Sequence, residues 1–260
     1  MDAPELAGRN AMVLGVANHR SIAWGIAREL SARGARLVLT YQGDRFRGTL
    51  EKLVAEAGIQ DAVLLPCDVS DDAQLDACFA DTKKAVGHLD MMAHCIAYAN
   101  REDLEGAFRD TSREGWRTAL EVSAYSMLSL ARRAAPLMEG RAGSMIALSY
   151  LASERAVPNY NVMGSAKAAL EQIVRQLALE LGPLGIRVNC VSAGPIATLS
   201  ARGIGGFSSM LPAAAEKAPL KRNVTLEDIG RASAFLLSDQ ASGVTGETLY
   251  VDCGYNIVGV

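Results

Sequence analysis

The sequence predicts an α/β fold in which helices cover both faces of a doubly wound, parallel sheet. The chain has 260 residues, half of them hydrophobic, which is enough for one large domain with a substantial core. Short β-branched or aliphatic runs alternate with helical patterns, as is typical of parallel strands joined by crossover helices. No repeat, low-complexity tract or proline-rich linker interrupts the chain. We therefore expect residues 1–260 to form a single domain.

Seven runs are predicted to be strands, and helical patterns separate nearly all of them. A helix is also predicted from Asn161 to about Leu181, because Ala, Leu, Lys, Glu and Gln dominate and apolar positions recur at helical spacing. Seven such strands fit a Rossmann-type sheet, whose ligands bind at the carboxyl ends of the strands. The predicted strands are Asn10–Leu14, Arg36–Tyr41, Ala62–Cys67, Leu89–His94, Gly143–Leu148, Arg187–Val191 and Thr248–Val251.

Composition and charge favour a protein that binds a small molecule. The net charge of −3 gives no basic field for nucleic acid, and the apolar runs are far shorter than a membrane span. The first five residues lack the basic start and apolar core of a secretion signal, so we expect a cytoplasmic protein.

The cysteines and histidines do not form a metal-binding pattern. An odd number of cysteines in mostly apolar settings favours reduced thiols over a disulfide framework, and the histidines are equally dispersed. We expect no metal site. The residues concerned are Cys67, Cys78, Cys95, Cys190, Cys253, His19, His88 and His94.

The turn after the first strand is a candidate phosphate-binding loop, although it is not a G-x-G-x-x-G motif. Gly15 would allow a tight turn, and Ser21 could cap the following helix and offer its hydroxyl to a phosphate, with Ile22 beside it. Amides at a helix start would receive a pyrophosphate. A plain strand-to-helix turn is the alternative.

Gln42 lies at the end of the second strand, where dinucleotide-binding folds place a residue that contacts the adenosine ribose. Its neutral amide can bond ribose hydroxyls, and Asp44 would repel a 2′-phosphate. Arg45 and Arg47 could attract one if their side chains turn inward. The pattern favours NADH over NADPH.

The other strand ends carry further candidates. Asp68 could accept a hydrogen bond from the adenine amino group while Val69 packs on the ring, although an Asp at a strand end is also a common cap. The convergence of candidates at one sheet edge is a stronger signal than any single motif. The remaining ones are Ile96 after the fourth strand, Ser149 and Tyr150 after the fifth, and Gly194 and Pro195 after the sixth.

Two tyrosines and one lysine carry the candidate chemistry: Tyr150, Tyr160 and Lys167. Seven residues are nearly two helical turns, so Tyr160 and Lys167 would lie within about 20° of each other around the axis. A neighbouring ammonium would favour the phenolate and make the phenol a stronger donor, as an enolate-forming reaction requires. The alternative is a pair of half-buried tyrosines bonded to backbone.

These residues together resemble an enoyl-acyl-carrier-protein reductase of the NADH type, within the short-chain dehydrogenase/reductase superfamily, and the resemblance covers essentially the whole chain. Most short-chain dehydrogenases place lysine four residues after tyrosine, a position held here by Gly164. Lys167, seven residues on, matches the enoyl reductase pattern. The matching residues are Gly15, Ser21–Ala23, Gln42, Asp68–Val69, Ser149–Tyr150, Tyr160, Lys167 and Ser192–Ile196.

The resemblance implies hydride transfer from the nicotinamide to the β-carbon of a trans-2-enoyl thioester in fatty-acid elongation, followed by protonation of the α-carbon. Tyr160 would hydrogen-bond the thioester carbonyl, Lys167 would hold the nicotinamide ribose, and Tyr150 would position substrate or deliver a proton. A ketoacyl or carbonyl reductase and a non-catalytic dinucleotide-binding regulator remain as alternatives. Implied further contacts are Ile96, Ile196 and Thr198 to the cofactor and Ala99 to the substrate.

The segment 194–219, punctuated by glycines and prolines, is predicted to be a lid over the substrate, with a plain surface connection as the alternative. Family members often carry Lys and Arg on this lid, whereas Gly205–Met210 has none. Docking of the acidic carrier protein is therefore weaker, moved to other cations, or replaced by use of coenzyme A thioesters. The resemblance also implies a homotetramer, with the apolar tail Gly254–Val260 as an interface element. The other cations are Lys217, Lys221 and Arg222.

Overall fold

The computed structural model describes residues 4–198 and 207–259. Within them, seven strands form one parallel sheet in the order β3-β2-β1-β4-β5-β6-β7, and the predicted doubly wound fold is confirmed. The order in which strands are added reverses between β1 and β4, and folds of this kind bind ligands in the crevice at such a point. The strands are β1 Asn10–Leu14, β2 Arg36–Tyr41, β3 Val63–Pro66, β4 Met91–His94, β5 Ser144–Ser149, β6 Arg187–Ala193 and β7 Thr248–Val251.

Helices cover both faces of the sheet. A π-helical segment at Glu121–Tyr125 joins two of them without a break in the chain direction. The α-helices are α1 Ile22–Ala32, α2 Arg47–Glu56, α3 Asp72–Val86, α4 Arg101–Leu104, α5 Arg113–Leu120, α6 Ser126–Met138, α7 Val162–Leu181, α8 Phe207–Lys217 and α9 Leu226–Leu237.

The strand predictions agree with the structure to within two residues at each end. The largest differences are at β4, which begins at Met91 rather than Leu89, and at β6, which continues to Ala193 rather than Val191. Leu89 is held instead by a backbone hydrogen bond to Leu137, outside the strand ladder. Ser149 is the last residue of β5 and not the first residue after it.

Two apolar layers, one on each face of the sheet, form the core. Alternate side chains of β1 point to opposite faces: Ala11 and Val13 pack under α1 and α9, and Met12 and Leu14 pack under α3, α6 and α7. Both layers are almost fully buried, so the sheet is a rigid base for the residues at its carboxyl edge.

The cysteines of the described residues are free thiols, and Cys67, Cys78 and Cys190 are buried. No cluster of three or more His, Cys, Asp or Glu side chains in this part of the chain could hold a metal ion. None of its helices is both long and apolar enough to cross a membrane.

Candidate active site

Gly15 lies where the ends of β1 and β4 meet. Its φ of +93° is in the region that favours glycine, and a Cβ at this position would overlap the carbonyl oxygen of Cys95, the residue after β4. The amide of Cys95 in turn donates to the carbonyl of Leu14 at 3.2 Å. The absence of a side chain therefore allows the chain after β1 and the chain after β4 to lie in close contact.

Gly15→Ala is expected to lower the stability by about 2–4 kcal/mol, because a positive φ and the overlap with Cys95 both have to be relieved. Differential scanning fluorimetry should show a fall in Tm of about 5–10 °C. Gly87→Ala is the matched control, since Gly87 has a φ of +79° but no atom within 4 Å of its Cβ position. Equal losses in the two variants would contradict the assigned role of the Cys95 contact.

Ser21 precedes α1, but its side chain does not cap the helix. Its hydroxyl donates to the carbonyl of Asn18 at 2.7 Å, so the predicted side-chain cap is wrong. The hydroxyl is directed at the turn of residues 18–21, and no amide at the start of α1 donates to its oxygen. Ile22 opens α1 and packs against the core on that face of the sheet.

Gln42 and Asp68 lie side by side at the ends of β2 and β3. The Gln42 amide donates to Asp68 at 2.9 Å, and both the amide and the hydroxyl of Ser70 also donate to this carboxylate. Partial burial opposes ionisation, but the bonds from Gln42 and Ser70 lower the pKa of Asp68 below its ordinary value. The buried Val69 follows directly. The structure thus brings together three of the predicted adenosine contacts.

The two arginines that could attract a 2′-phosphate have other partners. The guanidinium of Arg45 lies 4.7 Å from the centre of the Phe46 ring, and Nε of Arg47 donates to Glu51 at 2.9 Å. Both guanidinium groups are thus engaged by neighbours within residues 45–51. This arrangement agrees with the predicted preference for NADH.

Tyr150 and Tyr160 form an aromatic pair with ring centres 4.8 Å apart and planes inclined by 55°. The Tyr150 hydroxyl also donates to the sulfur of Met210 on α8, at 3.6 Å. Burial raises the pKa of Tyr150 to about 12, with a smaller contribution from Tyr255. Burial and the neighbouring Tyr150 raise the pKa of Tyr160 as well.

The expectation that Lys167 lowers the pKa of Tyr160 is therefore wrong for this structure, because the shift comes from burial and Tyr150 and not from Lys167. Tyr160 and Lys167 also do not share a helix face, since α7 begins at Val162 and Tyr160 lies in the preceding turn. That turn is shaped by Asn159 and Asn161, which have φ values of 63° and 39°. Tyr160 is consequently a protonated donor across the neutral pH range.

Lys167 is 5% exposed, and its ammonium donates to the carbonyl of Leu148 at 2.6 Å. Burial lowers the pKa of Lys167 to about 8, against the opposing effects of Cys190, Cys95 and Glu171. The ammonium thus persists at pH 7.

Gly164 holds the position four residues after Tyr160. A Cβ there would lie 2.9 Å from the carbonyl oxygen of Ala152, so the close approach of α7 to this segment favours glycine. A lysine at this position would therefore be disfavoured by the packing of α7.

The family model described as enoyl-(acyl carrier protein) reductase matches residues 15–256. The chain belongs to the enoyl-acyl-carrier-protein reductase family. An enoyl-[acyl-carrier-protein] reductase [NADH] of Bacillus cereus is 52% identical over 255 residues, covering 98% of this chain and 99% of the relative. The enzyme of Staphylococcus aureus strain MRSA252, named with NADPH, is 49% identical over 254 residues, covering 97% and 98%.

Solved structures of the family have the same fold. The Bacillus cereus reductase with NADP+ and indole naphthyridinone superposes with a TM-score of 0.96 at 51% identity, covering 98% of this chain and 99% of that chain. The Anaplasma phagocytophilum reductase in complex with NAD gives a TM-score of 0.94 at 42% identity, covering 100% and 98%. The resemblance inferred from the sequence is confirmed at the level of the family.

Ala99 and Tyr160 pack against the same small apolar cluster, and Ile96 is partly buried behind them against the core. After β6, the partly buried Ile196 accepts a hydrogen bond from the amide of Thr198 at 2.8 Å. The predicted nicotinamide contacts thus lie on the segments that leave β4 and β6. Residues 199–206 of the predicted lid lie outside the described residues, and 207–217 form α8.

Sequence reasoning missed Ser123, which lies in the π-helical segment and is fully buried. Its hydroxyl donates to the carbonyl of Tyr98 at 3.0 Å and accepts from the Tyr98 amide at 2.9 Å. These two bonds hold the segment that carries Ala99. Nothing in the helical pattern of this region indicates a π-turn, although such turns are frequent at functional sites.

Proposed function

We propose that this chain uses NADH to reduce the trans-2 double bond of enoyl thioesters carried by acyl carrier protein, a step of fatty-acid elongation. The observation that carries the proposal is the contact of Tyr150 with Tyr160, together with a buried Lys167 seven residues further on. Membership of the reductase family and the NADH in the name of the Bacillus cereus relative support it.

The residues present fit a dinucleotide. Gly15 leaves a side-chain-free turn at the crevice of the sheet, and the joined side chains of Gln42 and Asp68 suit the adenosine end. Ser21, Ile22, Val69, Ile96, Ile196 and Thr198 complete the proposed cofactor contacts. Arg45 contacts Phe46 and Arg47 bonds Glu51, so neither is committed to a 2′-phosphate, and we favour NADH over NADPH.

Bound NADH would supply a hydride to the β-carbon of the substrate. Because the pKa of Tyr160 is raised, its hydroxyl stays protonated and can donate to the thioester oxygen as negative charge develops there. A preorganised donor of this kind is worth about 3–4 kcal/mol of barrier. Tyr150 packs against the ring of Tyr160 and, together with Ala99, would position the substrate. Lys167 would hold the nicotinamide ribose and add positive charge.

Loss of the Lys167 ammonium at alkaline pH should lower the activity. Since its pKa is about 8, the charged form is complete below that value and disappears as the pH rises through it. We expect kcat/KM to fall about tenfold per pH unit above pH 8. A profile that is flat from pH 7 to 10 would show that the reaction does not need the charge.

We also propose that the acidic carrier protein docks at the exposed cations near the end of α8. Lys217 and Lys221 are exposed, whereas Arg222 is paired with Asp228, whose pKa it helps to lower to about 2. The Lys221 ammonium also donates to the carbonyl of Glu216 at 2.7 Å. Residues 194–219 would act as the substrate-covering lid, with α8 bearing Met210 against Tyr150.

We further propose a cytoplasmic homotetramer that binds neither nucleic acid nor membrane. Free thiols suit a reducing compartment. Exposed large apolar side chains support association: Trp116, Tyr125 and Leu128 on neighbouring helices, and Ile257 in the C-terminal tail. Size-exclusion chromatography with light scattering tests the assembly, and a monomer at micromolar concentration would contradict it.

The proposed function is tested by initial rates with NADH and NADPH against crotonyl thioesters of carrier protein and of coenzyme A. We expect the highest kcat/KM with NADH and the carrier-bound substrate. A preference for the coenzyme A thioester would overturn the carrier assignment. Absence of NADH oxidation at every chain length would favour the non-catalytic alternative.

A further inference from the structure

A buried carboxylate lies one helical turn beyond Lys167 and takes no part in the mechanism above. Glu171 is 4% exposed and lies four residues after Lys167 on α7, so the two side chains are neighbours on the same face of the helix. Carboxylates are almost never buried to this extent unless they are paired. The partners of Glu171 therefore indicate its role.

Glu171 and Lys167 fasten α7 to two consecutive residues of β5. The hydroxyl of Ser149 donates to Oε1 of Glu171, and the ammonium of Lys167 donates to the carbonyl of Leu148 at 2.6 Å. Tyr150 is the next residue along the chain. Both hydrogen bonds thus fix the strand end that leads directly into the tyrosine pair.

The other titratable groups that act on Lys167 are neutral at working pH. His94 and Cys95 approach from the end of β4 and Cys190 from β6. Burial, aided by Lys167, lowers the pKa of His94 to about 3, and burial raises the pKa of each thiol to about 12. Of the described groups acting on Lys167, Glu171 is the one that supplies negative charge.

The groups on the far side of Glu171 do not replace that charge. Tyr250 of β7 has a raised pKa, caused first by burial and then by Glu154, so its hydroxyl is neutral. Arg175, one turn further along α7, is exposed and donates to Gln172 at 3.0 Å. Ser149 therefore holds the carboxylate of Glu171, and the nearest buried cation to it along α7 is Lys167.

We propose that Glu171 is a positioning residue that keeps Lys167 charged and directed at the end of β5, while Ser149 holds the carboxylate in place. This inference rests on the proposed function, because Lys167 is the residue assigned to the nicotinamide ribose. Glu171 acts through Lys167 and touches neither substrate nor cofactor.

The first test compares pH profiles of kcat/KM for the wild type, Glu171→Gln and Glu171→Asp. Glu171→Gln keeps the size of the side chain and removes the charge, so the alkaline limb should move down by about one pH unit. The loss relative to wild type should be about seven times larger at pH 9 than at pH 6.5. Glu171→Asp, which keeps the charge, should leave the alkaline limb close to its wild-type position.

Two further variants serve as a control and as a second neutral substitution. Glu180→Gln changes an exposed carboxylate near the end of the same helix and should leave the limb in place. Glu171→Met is a second neutral variant with the same expected shift, because a buried charge is often replaceable by an apolar side chain of similar volume. An equal loss at every pH in both neutral variants would mean that Glu171 is merely structural, and would overturn the proposal.

A second readout is independent of activity. The side-chain signal of Lys167 can be followed by NMR titration of unliganded protein labelled with 13C-lysine, and assigned from its absence in Lys167→Met. We expect the Lys167 titration midpoint to fall by about one pH unit in Glu171→Gln. An unchanged midpoint would overturn the role of Glu171, whereas failure of the proposed function would appear separately, as wild-type protein without enoyl reductase activity.

Discussion

Tyr160→Phe is expected to lower kcat with crotonyl thioester by about 10²–10³-fold, because it removes the donor to the oxygen on which negative charge develops. KM should change little, since the ring and its 4.8 Å contact with Tyr150 are retained. The raised pKa of Tyr160 makes this effect independent of pH across the neutral range. Stopped-flow measurement of NADH oxidation gives both constants.

Tyr125→Phe is the matched control for Tyr160→Phe. Tyr125 is 46% exposed at the end of the π-helical segment, and its hydroxyl has no role in the proposed mechanism. Its variant should keep the wild-type kcat. If Tyr160→Phe also kept it, Tyr150 would have to be the donor, and a further decrease in Tyr150→Phe would establish that reassignment.

Lys167→Met is expected to abolish most of the activity through the cofactor. Charged hydrogen bonds are worth about 1.5–3 kcal/mol each, so loss of the contacts to the ribose should raise the Kd of NADH by about 10–100-fold. The substitution also removes the group responsible for the alkaline limb near pH 8. Fluorescence titration of NADH binding and the pH profile of the residual rate measure the two effects.

Lys84→Met, an exposed position on α3, controls for the loss of a positive charge in general. This variant should bind NADH as the wild type does. Wild-type NADH affinity in Lys167→Met, with a normal alkaline limb, would remove Lys167 from both the cofactor site and the pH dependence.

The sequence pattern was sufficient to predict the sheet and to predict that the candidate residues meet at its carboxyl edge. Strand periodicity is local, and parallel strands bring their carboxyl ends to one edge whatever the details of the loops. The pairing of Gln42 with Asp68 is an example, since each residue was identified only as the end of its own strand. Gly164 was likewise recognised as a position that could not supply the lysine, and the close approach of Ala152 gives a physical reason for glycine there.

The features that the sequence did not predict depend on tertiary packing. The spacing from Tyr160 to Lys167 is helical only if the helix reaches back to Tyr160, whereas Asn159 and Asn161, both with positive φ, place Tyr160 in a turn before α7. Its pKa depends on burial, which a spacing argument cannot supply. The bond from Ser149 to Glu171 joins two elements 22 residues apart, so no local pattern in the sequence indicates it.

The central claim is reduction of a carbon–carbon double bond, and isotope transfer tests it most directly. The protein is incubated with NADH deuterated at the transferable position of C4 and an equimolar mixture of crotonyl and acetoacetyl thioesters of carrier protein. We expect a butyryl thioester with one deuterium on its β-carbon, while acetoacetyl thioester remains. Deuterated 3-hydroxybutyryl thioester with crotonyl thioester left intact would contradict it.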